Sequence, residues 1–379
     1  MTPKIALVHD WFITYAGAER VVEQILHVFP EADLFALLDF MPAPERNILQ
    51  GKRVTTSFLQ TFPLLNRKNY RNFLPLMPLA IEQLDLSGYD IVLTNCHAVS
   101  KGVITSPEQL HISYVHTPMR YAWDMQNDYL AVSGMKNLKS ALARLILHYM
   151  RLWDTAAASR PDVLYGNSAF ICRRIEKIYR RKAQVLYPPV NTDYFSFHPQ
   201  KEDFYLTASR LVPYKRIDLV VEAFAGLPDR QLVVIGDGPE RRKLQSLNLP
   251  NVRWLGFQPN EVLRDYMQRA RAFVFAAKED FGIIPLEAQA CGTPVIALGA
   301  GGARETVIGL AEEHPTGVFF AEQTIESLRA AILDFEQNQH RFDPAACRAN
   351  AERFSNQRFR REIRQIIETR WEAFCSQKR

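Results

Sequence analysis

Glu279 and Glu287 bracket a segment whose residue types suit the binding of an anion. The apolar run Ala272–Phe275 predicts a buried strand, and Glu279-Asp280-Phe281-Gly282-Ile283-Ile284-Pro285-Leu286-Glu287 follows it closely. A proline in the first turn of a helix sacrifices no hydrogen bond, because the amide it lacks would have no intrahelical partner. The amides of Phe281, Gly282 and Ile283 are therefore expected to lie free at the helix start, where the backbone dipoles also favour negative charge. A phosphate fits such a place. Glu279 stands just before the turn and Glu287 about one turn inside the helix, so one carboxylate can face the cleft and the other can reach a ribose. Spacing alone carries nothing, since Glu23/Glu31 and Glu305/Glu313 are also eight apart. Only the first pair brackets a strand, a glycine and a helix-starting proline.

A second cluster, Ser209-Arg210-Leu211-Val212-Pro213-Tyr214-Lys215-Arg216, follows the apolar run Phe204–Ala208. Arginine chelates a phosphate through two N–H groups and lysine acts as a point charge. Arg210 and Lys215 beside one helix start would stabilise a diphosphate without a metal ion. Dinucleotide binding is poorly supported: Gly236-Asp237-Gly238 and Gly299-Ala300-Gly301 both follow strands, but the third fingerprint position is Arg241 in one and Arg304 in the other. No phosphate-loop motif occurs. The five cysteines are odd in number, far apart and without a C-x-x-C pair, which excludes a disulfide framework or zinc site and suits a reducing cytoplasm.

The elements that must position these groups alternate between β-branched runs and helical periods. In the first half, Ile5–Val8, Ile91–Thr94, Ile112–Val115, Val163–Tyr165 and Val185–Tyr187 predict strands. Ala18–Phe29 and Ser168–Arg181 predict helices, with Ser168 as a cap. The second half alternates more cleanly: Phe204–Ala208, Gln231–Ile235, Val252–Leu255, Ala272–Phe275, Pro294–Ala297 and Val318–Phe320 predict strands, with helices between them. Strand–helix alternation implies parallel strands with ligands at their carboxyl ends. Pro188-Pro189 can continue neither helix nor central strand and marks the boundary. The expected α/β architecture is two Rossmann-like lobes, residues 1–187 and 188–355, facing a central cleft. The stripe Phe359, Ile363, Ile366, Ile367 and Trp371, behind a cap at Asn356, predicts that helix 356–379 packs back on the first lobe.

At 379 residues, 47% hydrophobic and 23% charged, the chain is neither disordered nor fibrous. Its net charge of +5 belongs wholly to the first half, because residues 188–379 balance 25 basic against 25 acidic side chains. With a neutral second half and no recognisable binding module, nucleic acid is not an expected partner. The four apolar residues Ile5–Val8 are too few for a secretory signal, and no run of 18 apolar residues predicts a membrane span. Residues 46–81 carry Arg46, Lys52, Arg53, Arg67, Lys68 and Arg71, no acidic residue, and interleaved aromatic and leucine side chains. That mixture matches an interfacial patch for anionic lipid. Lys136–Trp153 has similar chemistry, with Leu138, Leu142, Leu145, Tyr149 and Leu152 at helical spacing, and is expected to turn that stripe toward the core.

Taken together, Ser209-Arg210-x-x-Pro213-x-Lys215, Gly236-Asp237-Gly238-Pro239 and Glu279-x7-Glu287 with the following Ala288-x-Ala290-x-Gly292-x-Pro294 resemble the retaining glycosyltransferases of family 4, which have the GT-B fold. Gly17-Ala18-Glu19-Arg20-Val21 and His116 extend the resemblance into the first half. His9-Asp10-Trp11 and Tyr114-Val115-His116-Thr117-Pro118-Met119-Arg120-Tyr121 resemble a bacterial subgroup with mannosyltransferases of O-antigen lipopolysaccharide and exopolysaccharide biosynthesis.

The resemblance implies a nucleotide-sugar donor on the second lobe and an acceptor on the first, either a glycan or a polyprenyl-diphosphate-linked oligosaccharide. It assigns Arg210 and Lys215 to the donor diphosphate, Glu279 to sugar hydroxyls and Glu287 to the ribose. Phe281, Gly282 and Ile283 contribute backbone contacts, Gly17 admits the phosphates, and His116 meets the donor sugar. Acceptor contacts are assigned to His9 and Asp10. It further implies mannose from GDP-mannose, no metal or other cofactor, and a cytoplasmic enzyme, peripheral on the inner face of the membrane. With no evident carboxylate nucleophile, same-face attack is expected, with the leaving phosphate taking the acceptor proton. A GT-B-fold nucleotide-sugar epimerase and a non-catalytic nucleotide-sugar-binding protein are the alternatives.

Overall fold

The computed structural model describes residues 3–127, 130 and 137–378, which divide into two compact units. Unit 1 comprises residues up to Pro188 together with Phe359–Arg379, and unit 2 is Pro189–Arg358. Each is an all-parallel sheet, which needs strands apolar on both faces.

Unit 1 has seven strands: β1 (Ile5–Phe12), β2 (Asp33–Asp39), β3 (Val54–Thr56), β4 (Ile91–Cys96), β5 (Leu110–Val115), β6 (Val163–Gly166) and β7 (Gln184–Val185). Their spatial order is β3-β2-β1-β4-β5-β6-β7. The chain winds outward one way from β1 and then restarts on its other side at β4, which places a crevice at the carboxyl ends of those two strands. One face of the sheet carries helix Gly17–Val28 and, in the same core, Phe359, Ile363 and Ile367 of the C-terminal helix Asn356–Gln377. The stripe expected to dock does so. Its cap is Ser355, whose hydroxyl accepts the Arg358 amide at 3.4 Å, whereas Asn356 is already helical. Ser168 caps its helix as expected, accepting from the Ile171 amide at 3.1 Å. The other face packs residues 59–86 and helix Asn137–Ala157 over Ala6, Val8 and Val92.

Unit 2 has six strands: β8 (Tyr205–Ala208), β9 (Leu232–Ile235), β10 (Val252–Gly256), β11 (Ala272–Phe275), β12 (Val295–Leu298) and β13 (Gly317–Phe320). Their order, β10-β9-β8-β11-β12-β13, repeats the reversal of unit 1 at β8 and β11. All four residues of β8, β9, β11 and β12 are buried.

Two strands escape the sequence reading. Asp33–Asp39 contains Leu34-Phe35-Ala36-Leu37-Leu38, a run with little β-branching, and parallel pairing to β1 makes it a strand. Val54–Thr56 is a three-residue edge inside the basic segment. The helix at Asn137–Ala157 is present, but the stripe expected to face the core is the exposed one: Leu142, Leu145, Tyr149 and Leu152 all lie outside. Its buried side is Leu147, Met150 and Asp154, with Ala143, Ile146 and Trp153 half-buried. Lys136 lies outside the described residues, as does the side chain of Leu138.

Candidate functional site

In unit 2, the candidate residues come from two neighbouring strand ends. β8 pairs β11, so the loop after Ala208 and the loop after Phe275 emerge side by side. The first delivers Arg210, exposed, and Lys215, which closes a short 3-10 turn from Pro213. The second delivers Glu279. The ammonium of Lys215 pairs directly with Oε1 of Glu279, and both side chains are mostly shielded from solvent. Past Glu279, Gly282 adopts φ +89° and starts helix Ile283–Ala290 with Pro285 inside the first turn. Phe281 is buried, its ring edge-on to Phe354 at 5.6 Å, so only its backbone is offered to the site. Glu287 is buried in the helix interior, at 1% exposure.

Both glycine motifs that fail as dinucleotide fingerprints hold these loops in place. A side chain at Gly236 would run into the carbonyl of Ser209, so the loop bearing Arg210 lies hard against the end of β9. The Leu211 amide then donates to the Asp237 carbonyl at 2.9 Å. Gly301, at φ +67°, abuts the carbonyl of Glu279 in the same way, and the amide of the following Gly302 donates to that carbonyl at 2.9 Å. These glycines position the catalytic candidates by permitting close backbone approach.

In unit 1, the carboxyl ends of β1, β4 and β5 gather His9, Asp10, Asn95, His97 and His116, with Glu19 from the helix that begins at Gly17. His9 is wholly buried. Its Nδ1 donates to the Asn95 carbonyl at 3.1 Å and its Nε2 to Glu19 Oε1 at 3.3 Å. Burial alone would discharge this ring, but the Glu19 carboxylate outweighs it and raises the His9 pKa above 6.5. Burial likewise opposes the charge of Glu19, and His9 overrides it, leaving that pKa below 4.5. Asp10 is also wholly buried, and accepts the amides of His97, Ala98, Val99 and Ser100 at 2.6–2.9 Å. Despite the cost of burial, His97, His9 and these amides keep it below 3.8.

His9 and Asp10 are therefore not placed as acceptor contacts, because Glu19, Asn95 and the amides of residues 97–100 already occupy their polar atoms. They orient His97 and His116 instead. His97 Nδ1 lies 3.1 Å from Asp10 Oδ2, off the hydrogen-bonding line, and part of its ring is exposed. His116 follows β5, with Nε2 donating to Asn95 Oδ1 at 2.7 Å. Burial first, then the neighbouring His97 and His9, hold its pKa well below 6.5, so the ring is neutral. Asn95 links the two rings, its main-chain carbonyl facing His9 and its side-chain oxygen His116, while its Nδ2 donates to the Ala18 carbonyl at 3.0 Å. The sequence reading ended the strand that is β4 at Thr94 and missed Asn95 and His97; two polar residues at an apolar strand's end were the available signal. Among the described residues, no three His, Cys, Asp or Glu side chains are grouped to hold a metal ion.

The His9–Glu19 pair gives unit 1 a pH signature. The contribution of His9, whose pKa is raised, is complete below pH 6.5 and is lost as pH rises through its folded value. That of Glu19, whose pKa is lowered, is complete above pH 4.5 and is lost as pH falls through its folded value. The stability gap between the native chain and Glu19→Gln is thus expected to peak between pH 4.5 and 6.5. Urea unfolding at a series of pH values measures it, and a gap growing steadily above pH 8 would contradict the assignment.

Comparison with known proteins places this geometry. Residues 193–354 match the family model for glycosyl transferases group 1. An uncharacterized glycosyltransferase of Methanocaldococcus jannaschii is 23% identical over 256 residues, 65% of this chain and 71% of its own length. A GDP-mannose-dependent monoacylated alpha-(1-6)-phosphatidylinositol monomannoside mannosyltransferase of Corynebacterium glutamicum is 39% identical over 141 residues, 33% of this chain and 36% of that protein. Anabaena HepE, solved in complex with UDP-glucose, superimposes with a TM-score of 0.68 at 17% identity, covering 96% of this chain and 99% of that one. Residues 193–354 thus resemble a group 1 glycosyl transferase domain, and the chain has the two-sheet fold of GT-B glycosyltransferases.

Proposed function

We propose that this protein is a retaining glycosyltransferase of family 4 that moves mannose from GDP-mannose onto a lipid-linked bacterial surface glycan. The observation that carries the donor side is the pairing of Lys215 with Glu279 across the carboxyl ends of β8 and β11, with Arg210 on the same loop as Lys215 and a helix starting at Ile283. Breaking the bond from the anomeric carbon to phosphate leaves negative charge on the departing diphosphate. Prearranged cations and amides stabilise that charge more in the transition state than in the ground state. Arg210, Lys215 and the amides of Gly282 and Ile283 take this role without a metal ion. Glu279 holds sugar hydroxyls and Glu287 the ribose. The leaving phosphate oxygen accepts the proton of the attacking hydroxyl, on the face it departs from. Unit 1 receives the acceptor, with Gly17 admitting the donor phosphates, His116 beside the donor sugar and the basic segment 46–81 toward anionic lipid.

Mannose and GDP rest on similarity to the Corynebacterium mannosyltransferase segment. Thermal stabilisation by GDP-mannose, UDP-glucose and dTDP-glucose tests the donor, since a ligand at 100 times its Kd adds about 2.7 kcal/mol to folding stability. Stabilisation by GDP-mannose alone, followed by mannosyl transfer to a polyprenyl-diphosphate-linked oligosaccharide, is the expected result. A response to UDP-glucose alone would replace the donor, and an isomerised nucleotide sugar formed without acceptor would make the protein an epimerase.

A further inference from the structure

Eight of the fourteen large apolar side chains that are exposed among the described residues belong to two short stretches of unit 1. Phe58, Phe62, Leu64 and Leu79 lie in residues 58–79, with Leu64 88% exposed. Leu142, Leu145, Tyr149 and Leu152 lie along helix Asn137–Ala157, exposed by 56%, 65%, 44% and 61%. Both stretches lean on one core: Leu59, Tyr70 and Met77 of the first and Leu147 and Met150 of the second cover the same face of the sheet. Trp153 Nε1 also donates at 2.9 Å to Glu82, three residues past the first stretch. Their outward sides therefore share one flank of unit 1.

The spacing of three, four and three residues between 142, 145, 149 and 152 keeps the stripe on one side of the helix. Four such side chains in water, each with 44% or more of its surface open, form a patch that calls for a partner. Charge says which. The only carboxylate between Asn137 and Ala157 is Asp154, wholly buried against Lys101, while Lys139 and Arg144 are exposed beside the stripe. The first stretch exposes Arg67, Lys68 and Arg71 and contains no acidic residue. Apolar side chains ringed by cations without a competing carboxylate fit the headgroup boundary of an anionic bilayer. No helix among the described residues is long and apolar enough to cross a membrane, so the contact is interfacial.

We infer that this flank is a lipid-binding surface, with Leu142, Leu145, Tyr149 and Leu152 entering the headgroup and acyl boundary and Lys139, Arg144, Lys68 and Arg71 meeting lipid phosphates. The inference deepens the membrane partner proposed above by assigning the contact chiefly to the leucine stripe, and it does not depend on the reaction. Binding in this mode is strengthened by anionic headgroups and weakened by salt, because exposed charges are screened beyond a Debye length of about 8 Å at physiological ionic strength.

Co-sedimentation of the full chain with phosphatidylglycerol–phosphatidylcholine vesicles, against phosphatidylcholine alone, tests it at low and high salt. The native protein is expected to bind the anionic vesicles and to release with salt. Leu142→Asp/Leu145→Asp, at two exposed positions, is expected to bind more than about tenfold more weakly. The variant's melting temperature and its stabilisation by GDP-mannose report whether fold and donor site persist. Binding by the variant equal to native, or no binding by the native chain, would overturn the inference. So would light scattering that shows a dimer which the variant abolishes, with no vesicle binding, since a second copy would then cover the stripe. Failure of every sugar donor to stabilise or react would remove the proposed function and leave vesicle binding to be judged separately.

Discussion

Replacing Lys215 with alanine is expected to lower kcat for sugar transfer by about 10²–10³-fold, as the loss of one prearranged donor to a developing anion costs about 2.7–4 kcal/mol of barrier. The structure gives the reason for choosing this residue over Arg210. Lys215 is shielded and paired to Glu279, whereas Arg210 is exposed, and an ammonium in a less aqueous setting acts more strongly on nearby charge. In the proposed reaction a donor diphosphate would compete with Glu279 for the Lys215 ammonium and so release a carboxylate to the sugar hydroxyls. Removing either partner therefore damages both functions, and Lys215→Ala/Glu279→Ala is expected to lose less than the sum of the single losses. Steady-state kinetics of the two single variants and the double variant, with melting temperatures to confirm folding, measure this. Additive losses would separate the two residues, and an unchanged kcat in Lys215→Ala would take it out of the site.

The largest stability effect is expected away from that site, at Asp154→Ala. Lys101 and Asp154 are 1% and wholly buried, and they pair directly. Asp154 also accepts from Trp123 Nε1 and from the Tyr179 hydroxyl, each at 2.8 Å. Burial opposes the charge of Lys101, yet Asp154 outweighs it and holds the pKa above 10.5. Without the carboxylate, a buried ammonium is left uncompensated, at a cost of about 3–5 kcal/mol. Because a raised lysine pKa is the cause, the stabilisation is present at neutral pH and is lost only as pH rises through that value. Urea unfolding of Asp154→Ala measures the loss. Lys101→Met/Asp154→Leu, which removes both charges and keeps volume, is expected to be the more stable of the two variants. A loss below about 1 kcal/mol in Asp154→Ala, the range of an exposed pair, would show that water reaches the ammonium.

Much of the candidate site in unit 2 is readable from the sequence. Strands β8 and β11, the helix-starting proline after Gly282 and the cationic loop at Arg210 and Lys215 all stand in local sequence, because each depends on residues within one strand–loop–helix unit. The glycine pairs were readable only as failures: Arg241 and Arg304 excluded a dinucleotide fingerprint, and nothing local reveals that Gly236 and Gly301 press on loops 27 and 22 residues earlier. In unit 1, His116 was legible from its motif. His97 was not, because its significance comes from Asp10, 87 residues away, whose buried carboxylate gathers the turn that presents the ring.

What the sequence determined by itself is the kind of chemistry and the short-range scaffold for it: which residues carry charge, which runs become buried strands, and where a helix begins. Strand order belongs to the tertiary structure, since parallel strands joined by crossovers can lie on either side of their predecessor. The reversals at β1/β4 and β8/β11 put His9 beside Asn95 and the Lys215 loop beside Glu279. The burial of helix Asn137–Ala157 was decided in the same way. Its sequence has one apolar side through Leu142, Leu145, Tyr149 and Leu152 and another through Ile146, Leu147, Met150 and Trp153, so periodicity cannot choose between them. The Lys101–Asp154 pair and the Trp153–Glu82 hydrogen bond choose the second, and that choice leaves the leucine stripe facing water.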